Sequence, residues 1–266
     1  MQSHLLFDSI NIAGPEKKIR EFEEELKTIE EKEQKNLTRL LKVVGEKQHY
    51  HTSELYKQEW DVLKKLLDWP NKNVFPVLDV FRMFLLHSQA SEMFKVFDHG
   101  AEYLYKFLSM LSNKNELAAN QLLCLKCISN MFKHPSSTFV LVSKYEMVID
   151  AVVDYLSHEN KGIRNGAITV LLNYAVAFVT RKDDNQGRVQ AIGGLVNVID
   201  TESEPQNYMR ILAAVGNLIF EDEEVQSLAN EFGLLDKLSS LEKFKGKDVY
   251  DKCSKYVEEI KIILSD

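Results

Sequence analysis

The sequence predicts an all-α protein built from stacked helical repeats, on three observations. One six-residue pattern recurs four times, glycine is modest and proline scarce between short polar breaks, and almost no segment shows the strict alternation of a strand. In register the copies read Phe81-Arg82-Met83-Phe84-Leu85-Leu86, Leu125-Lys126-Cys127-Ile128-Ser129-Asn130, Ile168-Thr169-Val170-Leu171-Leu172-Asn173 and Leu212-Ala213-Ala214-Val215-Gly216-Asn217. Their sixth positions fall at 86, 130, 173 and 217, a period of 43 to 44 residues. That period belongs to armadillo and HEAT units. The expected fold is therefore an all-α, armadillo-like helical repeat solenoid, whose stacked units offer a groove for an extended peptide.

Taken in order, Leu5-Leu6-Phe7 is a short apolar lead-in without periodicity. Glu16 to Gln34 reads as an amphipathic helix, with Ile19, Phe22, Leu26 and Ile29 on one stripe and a solvated Glu/Lys face. Asn36 is expected to cap a helix over Leu37 to Val44, and Thr52-Ser53 to open one running to Trp69. Pro70 to Asn73 reads as a turn. From Val74 onward helices alternate with breaks at 113–115, 158–162, 181–187 and 201–205. Pro15, Pro70, Pro76, Pro135 and Pro205 are all expected at helix ends, where the missing N–H costs nothing. Residues 1–266 are expected to form a single domain, with 1–70 as an N-terminal helical extension packed on the repeats.

Within each repeat, counted from the sixth position as zero, positions −5 and −2 are apolar in all four copies. Position +2 is apolar in three, as Phe132, Ala175 and Ile219, with Ser88 the exception. At ~100° per residue these share one helix face, the expected core. Positions −7, −4 and zero fall within roughly 60° on the opposite face. That face carries Arg82, Lys126 and Arg210 and the row Asn130, Asn173 and Asn217. A carboxamide both donates to and accepts from an extended backbone, and guanidinium groups clamp carboxylates with paired N–H bonds. The pattern points to capture of an extended acidic peptide. Tyr174, beside Asn173, is a candidate to pack on the ligand and equally a core residue.

Composition excludes other classes. With 45% hydrophobic and 27% charged residues the chain can bury a large core, and a net charge of −7 argues against nucleic acid as partner. Three cysteines make no disulfide framework and suit a reducing compartment. No apolar run is read as approaching the ~18 residues of a spanning helix, no secretory leader is expected, and the expected location is cytoplasmic and nuclear. Cys124-x-x-Cys127 lies mid-helix without the strand or further ligands that redox or zinc chemistry requires, so it reads as packing. His49 and His51 have no companions for a metal. Gly193-Gly194, inside an apolar helical pattern, reads as tight helix packing, and Gly216 as close packing or a close approach. There is no glycine-rich phosphate loop, G-x-S-x-G or H-E-x-x-H. No metal, no cofactor and no catalysis are expected.

The same residues carry a resemblance. Asn73 to Arg82, Trp60 upstream, Gln121-Leu122-Leu123 leading to Asn130, Ala167 to Val176, Arg210 to Ile219, and Leu6-Phe7-Asp8 near the start resemble, in order and spacing, the motifs of the PUL domain family of ubiquitin-pathway factors. The resemblance implies an armadillo-like fold of about six repeats. It also implies binding to the acidic C-terminal tail of valosin-containing protein, a hexameric AAA+ unfoldase, through two groove arginines that match Arg82 and Arg210. Lys126 stands where animal members often carry Arg, and Asn217 where they often carry Thr. The family's longer members also carry a β-propeller and a ubiquitin-binding module that this sequence does not contain.

The leading expectation is a monomeric, non-catalytic adaptor holding that tail in a basic groove lined by Arg82, Lys126, Asn130, Asn173, Tyr174, Arg210 and Asn217. Arg82 and Arg210 are expected to be close in space and largely unpaired. The alternative is the same groove holding a different extended peptide. A lipid-acting enzyme has no nucleophile–base pair to support it, and lipid docking no basic amphipathic helix.

Overall fold

The computed structural model describes residues 3–95, 97–181 and 185–265, and among them every regular element is helical. The chain forms two compact units: Leu6–Ser143, and Lys144–Asp266 together with the segment up to Leu5. The first holds α1 (Ala13–Leu26), α2 (Gln34–Gly45), α3 (Lys57–Leu67), α4 (Asn71–Phe84), α5 (Ala90–Met93), α6 (Phe97–Ser112), α7 (Ala118–Met131) and α8 (Pro135–Ser143). The second holds α9 (Tyr145–Val153), α10 (Lys161–Val179), α11 (Asn185–Val198), α12 (Pro205–Ile219), α13 (Glu223–Glu231), α14 (Leu234–Lys237) and α15 (Tyr250–Ile263).

The repeat register sets the cores. Phe81, Phe84, Leu125 and Ile128 are buried in the first unit, and Ile168, Leu171, Leu212 and Val215 in the second. Phe132, Ala175 and Ile219 at position +2 are buried as well, whereas Ser88 is exposed. In the first unit α4 packs on α7, with α1, α2 and α3 against α4; in the second α10 packs on α12 and α12 on α15. Each of α4, α7, α10 and α12 therefore buries its apolar stripe against neighbours and leaves its polar stripe for another use.

Helix boundaries differ from the sequence expectation where side chains capture backbone groups. α1 stops at Leu26 rather than near Gln34, because Lys27 turns left-handed (φ 50°) and the Glu23 carboxylate accepts from the Thr28 hydroxyl and the Ile29 N–H, both at 2.6 Å. Ile29 is still buried, outside the helix. Asn36 lies inside α2 and does not cap it. α3 opens at Lys57, with Glu59 accepting the Tyr56 N–H at 2.7 Å, while Ser53 contacts His87 instead. α4 begins at Asn71, so Pro76 falls in its interior and the Lys72 carbonyl loses its helical donor.

The expectation that no apolar stretch reaches spanning length is also corrected. α10 has 19 residues and a mean hydropathy of 1.3 over an 18-residue window, of which 67% is buried in the protein. It is apolar because α9, α11 and α12 all pack on it. A Cβ on Gly194 would come within 3.0 Å of Val153 Cγ2, so that glycine does permit a tight crossing. Gly193 and Gly216 do not: added Cβ atoms there would meet neighbours at 3.6 and 3.9 Å, ordinary contact distances. Cys124 and Cys127 are fully buried, and burial pushes both thiols well above their ordinary pKa, so they serve packing.

Candidate peptide-binding site

In the N-terminal unit the polar stripe of α4 and α7 is occupied by the chain itself. Asn130 Oδ1 accepts the Phe7 N–H at 2.7 Å, and Asn130 Nδ2 donates to the Phe7 carbonyl at 3.0 Å and to the Arg82 carbonyl at 2.7 Å. One carboxamide thus satisfies both backbone groups of one extended residue, which its adjacent donor and acceptor make possible. Arg82 completes the cradle. Its Nη1 donates to the Phe7 carbonyl (2.8 Å), its Nη2 to the Ser9 carbonyl (3.0 Å) and its Nε to Asp79 (2.6 Å). Arg82 is 5% exposed, with Nη1 also 3.1 Å from the Met83 sulfur, so little of the fork remains for a ligand. The expectation of an unpaired Arg82 is corrected: a guanidinium this buried is held by a carboxylate and two carbonyls, because removing it from water without them would cost several kcal/mol. Asp8, on the same strand, pairs with Lys47.

Lys126 lies beside the same segment. Its ammonium lies 5.4 Å from the Phe7 ring centroid, and among the described residues no carboxylate comes within salt-bridge distance. Burial lowers its pKa, the Arg82 charge lowers it further, and Asp79 opposes.

In the C-terminal unit Asn173 repeats the device. The Leu5 N–H donates to Asn173 Oδ1 at 2.7 Å, and Asn173 Nδ2 donates to the Leu5 carbonyl at 2.8 Å. Tyr174 is fully buried, its ring 5.6 Å from Phe178, and is core rather than ligand surface. Arg210 Nη1 donates to Thr169 Oγ1 at 2.7 Å, and the Thr169 hydroxyl donates onward to the Asn165 carbonyl at 2.6 Å. Arg210 is half-buried and, among the described residues, pairs with no carboxylate; burial alone lowers its pKa. One and two turns further along α12, Ala213 and Asn217 share its face, and Asn217 Nδ2 donates to the Ala213 carbonyl at 2.7 Å. Beside them opens a cleft of about 240 Å³ between α12 and α15, lined in part by Phe220, Tyr256, Ile260 and Ile263.

Two of the three asparagines expected to hold an extended peptide ligand, Asn130 and Asn173, bind an extended stretch of this chain itself, and Asn217 bonds within its own helix. Asn130 and Asn173 hold Phe7 and Leu5, Tyr174 is core, and Arg82 is spent on the same strand. Of the remaining predicted residues, Lys126 is half-buried in the first unit, and Arg210 and Asn217 in the second. Arg82 belongs to one unit and Arg210 to the other. Leu5, Phe7 and Ser9 were missed as site residues, though Leu6-Phe7-Asp8 had been matched to the family pattern. Thr169 was missed too, although it stands at the repeat position of Arg82 and Lys126.

Residues 1–255 match the family described as the PUL domain. The chain is 28% identical over 231 residues to the phospholipase A-2-activating protein of Xenopus laevis, covering 86% of this chain and 28% of that protein. It is 27% identical over 136 residues to the ubiquitin fusion degradation protein 3 homolog of Caenorhabditis elegans, covering 50% of this chain and 16% of that protein. The chain thus spans less than a third of the length of either relative. Among solved structures, a designed armadillo repeat protein superposes with a TM-score of 0.63 at 16% identity, covering 84% of this chain and 91% of that one. An engineered protein superposes at 0.62 with 15% identity, covering 85% and 88%. At such identities the likeness establishes the armadillo fold alone.

Proposed function

The chain belongs to the PUL domain family, and on that premise we propose that it is a non-catalytic adaptor for the acidic C-terminal tail of valosin-containing protein, serving ubiquitin-dependent protein degradation. The observation that carries the proposal is that each unit keeps one half-buried cation on the polar stripe of a repeat, Lys126 in the first and Arg210 in the second, each without a carboxylate among the described residues. Burying a positive charge without a counter-charge is unfavourable, and a ligand carboxylate would relieve it. The carboxamides of Asn173 and Asn130 are already filled by Leu5 and Phe7, so the cations rather than the asparagines are the proposed contacts for the tail. The C. elegans relative is named for ubiquitin fusion degradation, which agrees with the assigned process.

The test is fluorescence anisotropy with the last ten or so residues of the unfoldase. Lys126→Ala and Arg210→Ala are each expected to weaken binding about tenfold, the effect of losing one charge-assisted contact. Lys126→Glu and Arg210→Glu should abolish it. Wild-type affinity in both charge-reversal variants would transfer the site to a different extended peptide.

A further inference from the structure

The strand that fills the asparagine cradle has a second edge. In an extended chain the N–H and C=O of one residue point to the same side, and successive residues alternate sides. Within the N-terminal unit Phe7 turns both groups toward Asn130 and Arg82, and Ser9 turns its carbonyl toward Arg82. Leu6 and Asp8, of opposite parity, make no backbone hydrogen bond among the described residues. Their two N–H and two C=O groups therefore lie along the opposite edge, with water as their alternative partner. The strand is fixed firmly enough to act as a template. Asn130 and Arg82 hold its backbone on one side, and the Asp8–Lys47 pair pins a side chain.

We infer that the free edge of Leu6–Asp8 is a pairing surface on which an extended acidic peptide adds as a second strand. An unpaired, pre-straightened edge offers main-chain hydrogen bonds without the entropy cost of ordering the template, the principle of recognition by strand addition. Charge chooses the occupant. The ammonium of Lys126 sits over the Phe7 ring without a carboxylate within salt-bridge distance among the described residues, and Asp8, the strand's own acid, is already paired with Lys47. A strand laid about 4.8 Å from the first would bring alternate side chains to that cation. The inference rests on the acidic-peptide reading above and specifies how the peptide is held.

The experiment has two arms, both with the full chain and the unfoldase tail peptide. In the first, each peptide residue is N-methylated in turn and affinity is measured. Methylation at every second residue across about four positions is expected to weaken binding at least about tenfold, and methylation between them less than about twofold. In the second, amide exchange is followed by NMR with and without saturating peptide. Leu6 and Asp8 are expected to slow markedly, while Leu5 and Phe7, already bonded to Asn173 and Asn130, stay unchanged. A response to N-methylation without alternation, or unaltered exchange of Leu6 and Asp8 at saturation, overturns strand pairing while leaving the acidic-peptide reading standing. Failure of the unmodified peptide to bind overturns both.

Discussion

Asn130 shows how much one side chain can organise. Fully buried, it bonds to Phe7 twice and to the Arg82 carbonyl once. Asn130→Ala leaves the Phe7 N–H and the Arg82 carbonyl without this partner, while the Phe7 carbonyl keeps Arg82, and is expected to cost about 1–3 kcal/mol of stability and to speed exchange of the Phe7 amide, measured by urea unfolding and hydrogen exchange. An unaltered Phe7 amide would show that the strand is held by other means. Lys126 yields a pH prediction. Its pKa is lowered by burial, so it sheds its proton at a lower pH than an ordinary lysine. Tail affinity should be flat around neutrality and decline on the alkaline side before pH 10.5, the ordinary lysine value. Lys126→Arg, which stays charged, should push the decline to higher pH; an identical profile in both proteins would exclude Lys126 from the contact.

At the level of elements, the ends of helices are where charge is buried. Arg188, 3% exposed on α11, donates Nη1 to the Leu218 carbonyl at 2.9 Å and Nη2 to the Phe178 carbonyl at 2.7 Å. These carbonyls lie in the last turns of α12 and α10, whose negative dipole ends converge on one cation. The buried Asp222 carboxylate stands 3.7 Å from its Nε. Arg188→Met keeps the volume but strands that carboxylate and both carbonyls, so a loss of about 3 kcal/mol or more is expected in chemical denaturation. A second helix-end feature is titratable. His87, after α4, is fully buried, accepts the Gln89 N–H at Nδ1 (3.3 Å) and has Ser53 Oγ 3.2 Å from Nε2. Burial lowers the pKa of His87 and of His134, after α7, below 6.5. The unfolded chain then binds more protons than the folded one, so this stability is intact above pH 6.5 and falls with pH down to the folded values. Tm should drop between pH 7 and 5, and His87→Gln should flatten that slope; an unchanged slope would assign it to other groups.

For the molecule as a whole, a net charge of −7 would repel the proposed acidic tail while local cations would hold it. Screening separates the two effects, because the Debye length shrinks to ~8 Å at physiological salt. Raising salt should therefore increase the association rate, as repulsion is screened, and increase the dissociation rate, as close pairs weaken. Stopped-flow measurement with the tail peptide reads both, and an association rate that falls with salt would reverse the inferred balance. The family resemblance also implies a near-terminal tyrosine in the tail; phosphorylating it adds roughly two negative charges and bulk, and binding is expected to weaken. Equal affinities for the two peptides in a titration would place that side chain outside the contact.

What the sequence determined by itself was periodic. Apolar residues at −5 and −2 of every repeat, and at +2 of three, became the cores, and Asn130 and Asn173 at the zero position hold backbone groups, because helical spacing is a local property read from neighbours on one chain. Helix ends were less legible, since α1 and α3 are cut by carboxylates whose capture of a backbone N–H has no periodic signature. Only the tertiary structure decided who occupies the asparagines. Leu5-Leu6-Phe7 has no periodicity to announce a strand, and its partners lie 168 and 123 residues away in sequence. An extended segment makes no hydrogen bonds within itself, so its conformation exists only through groups that the fold brings to it.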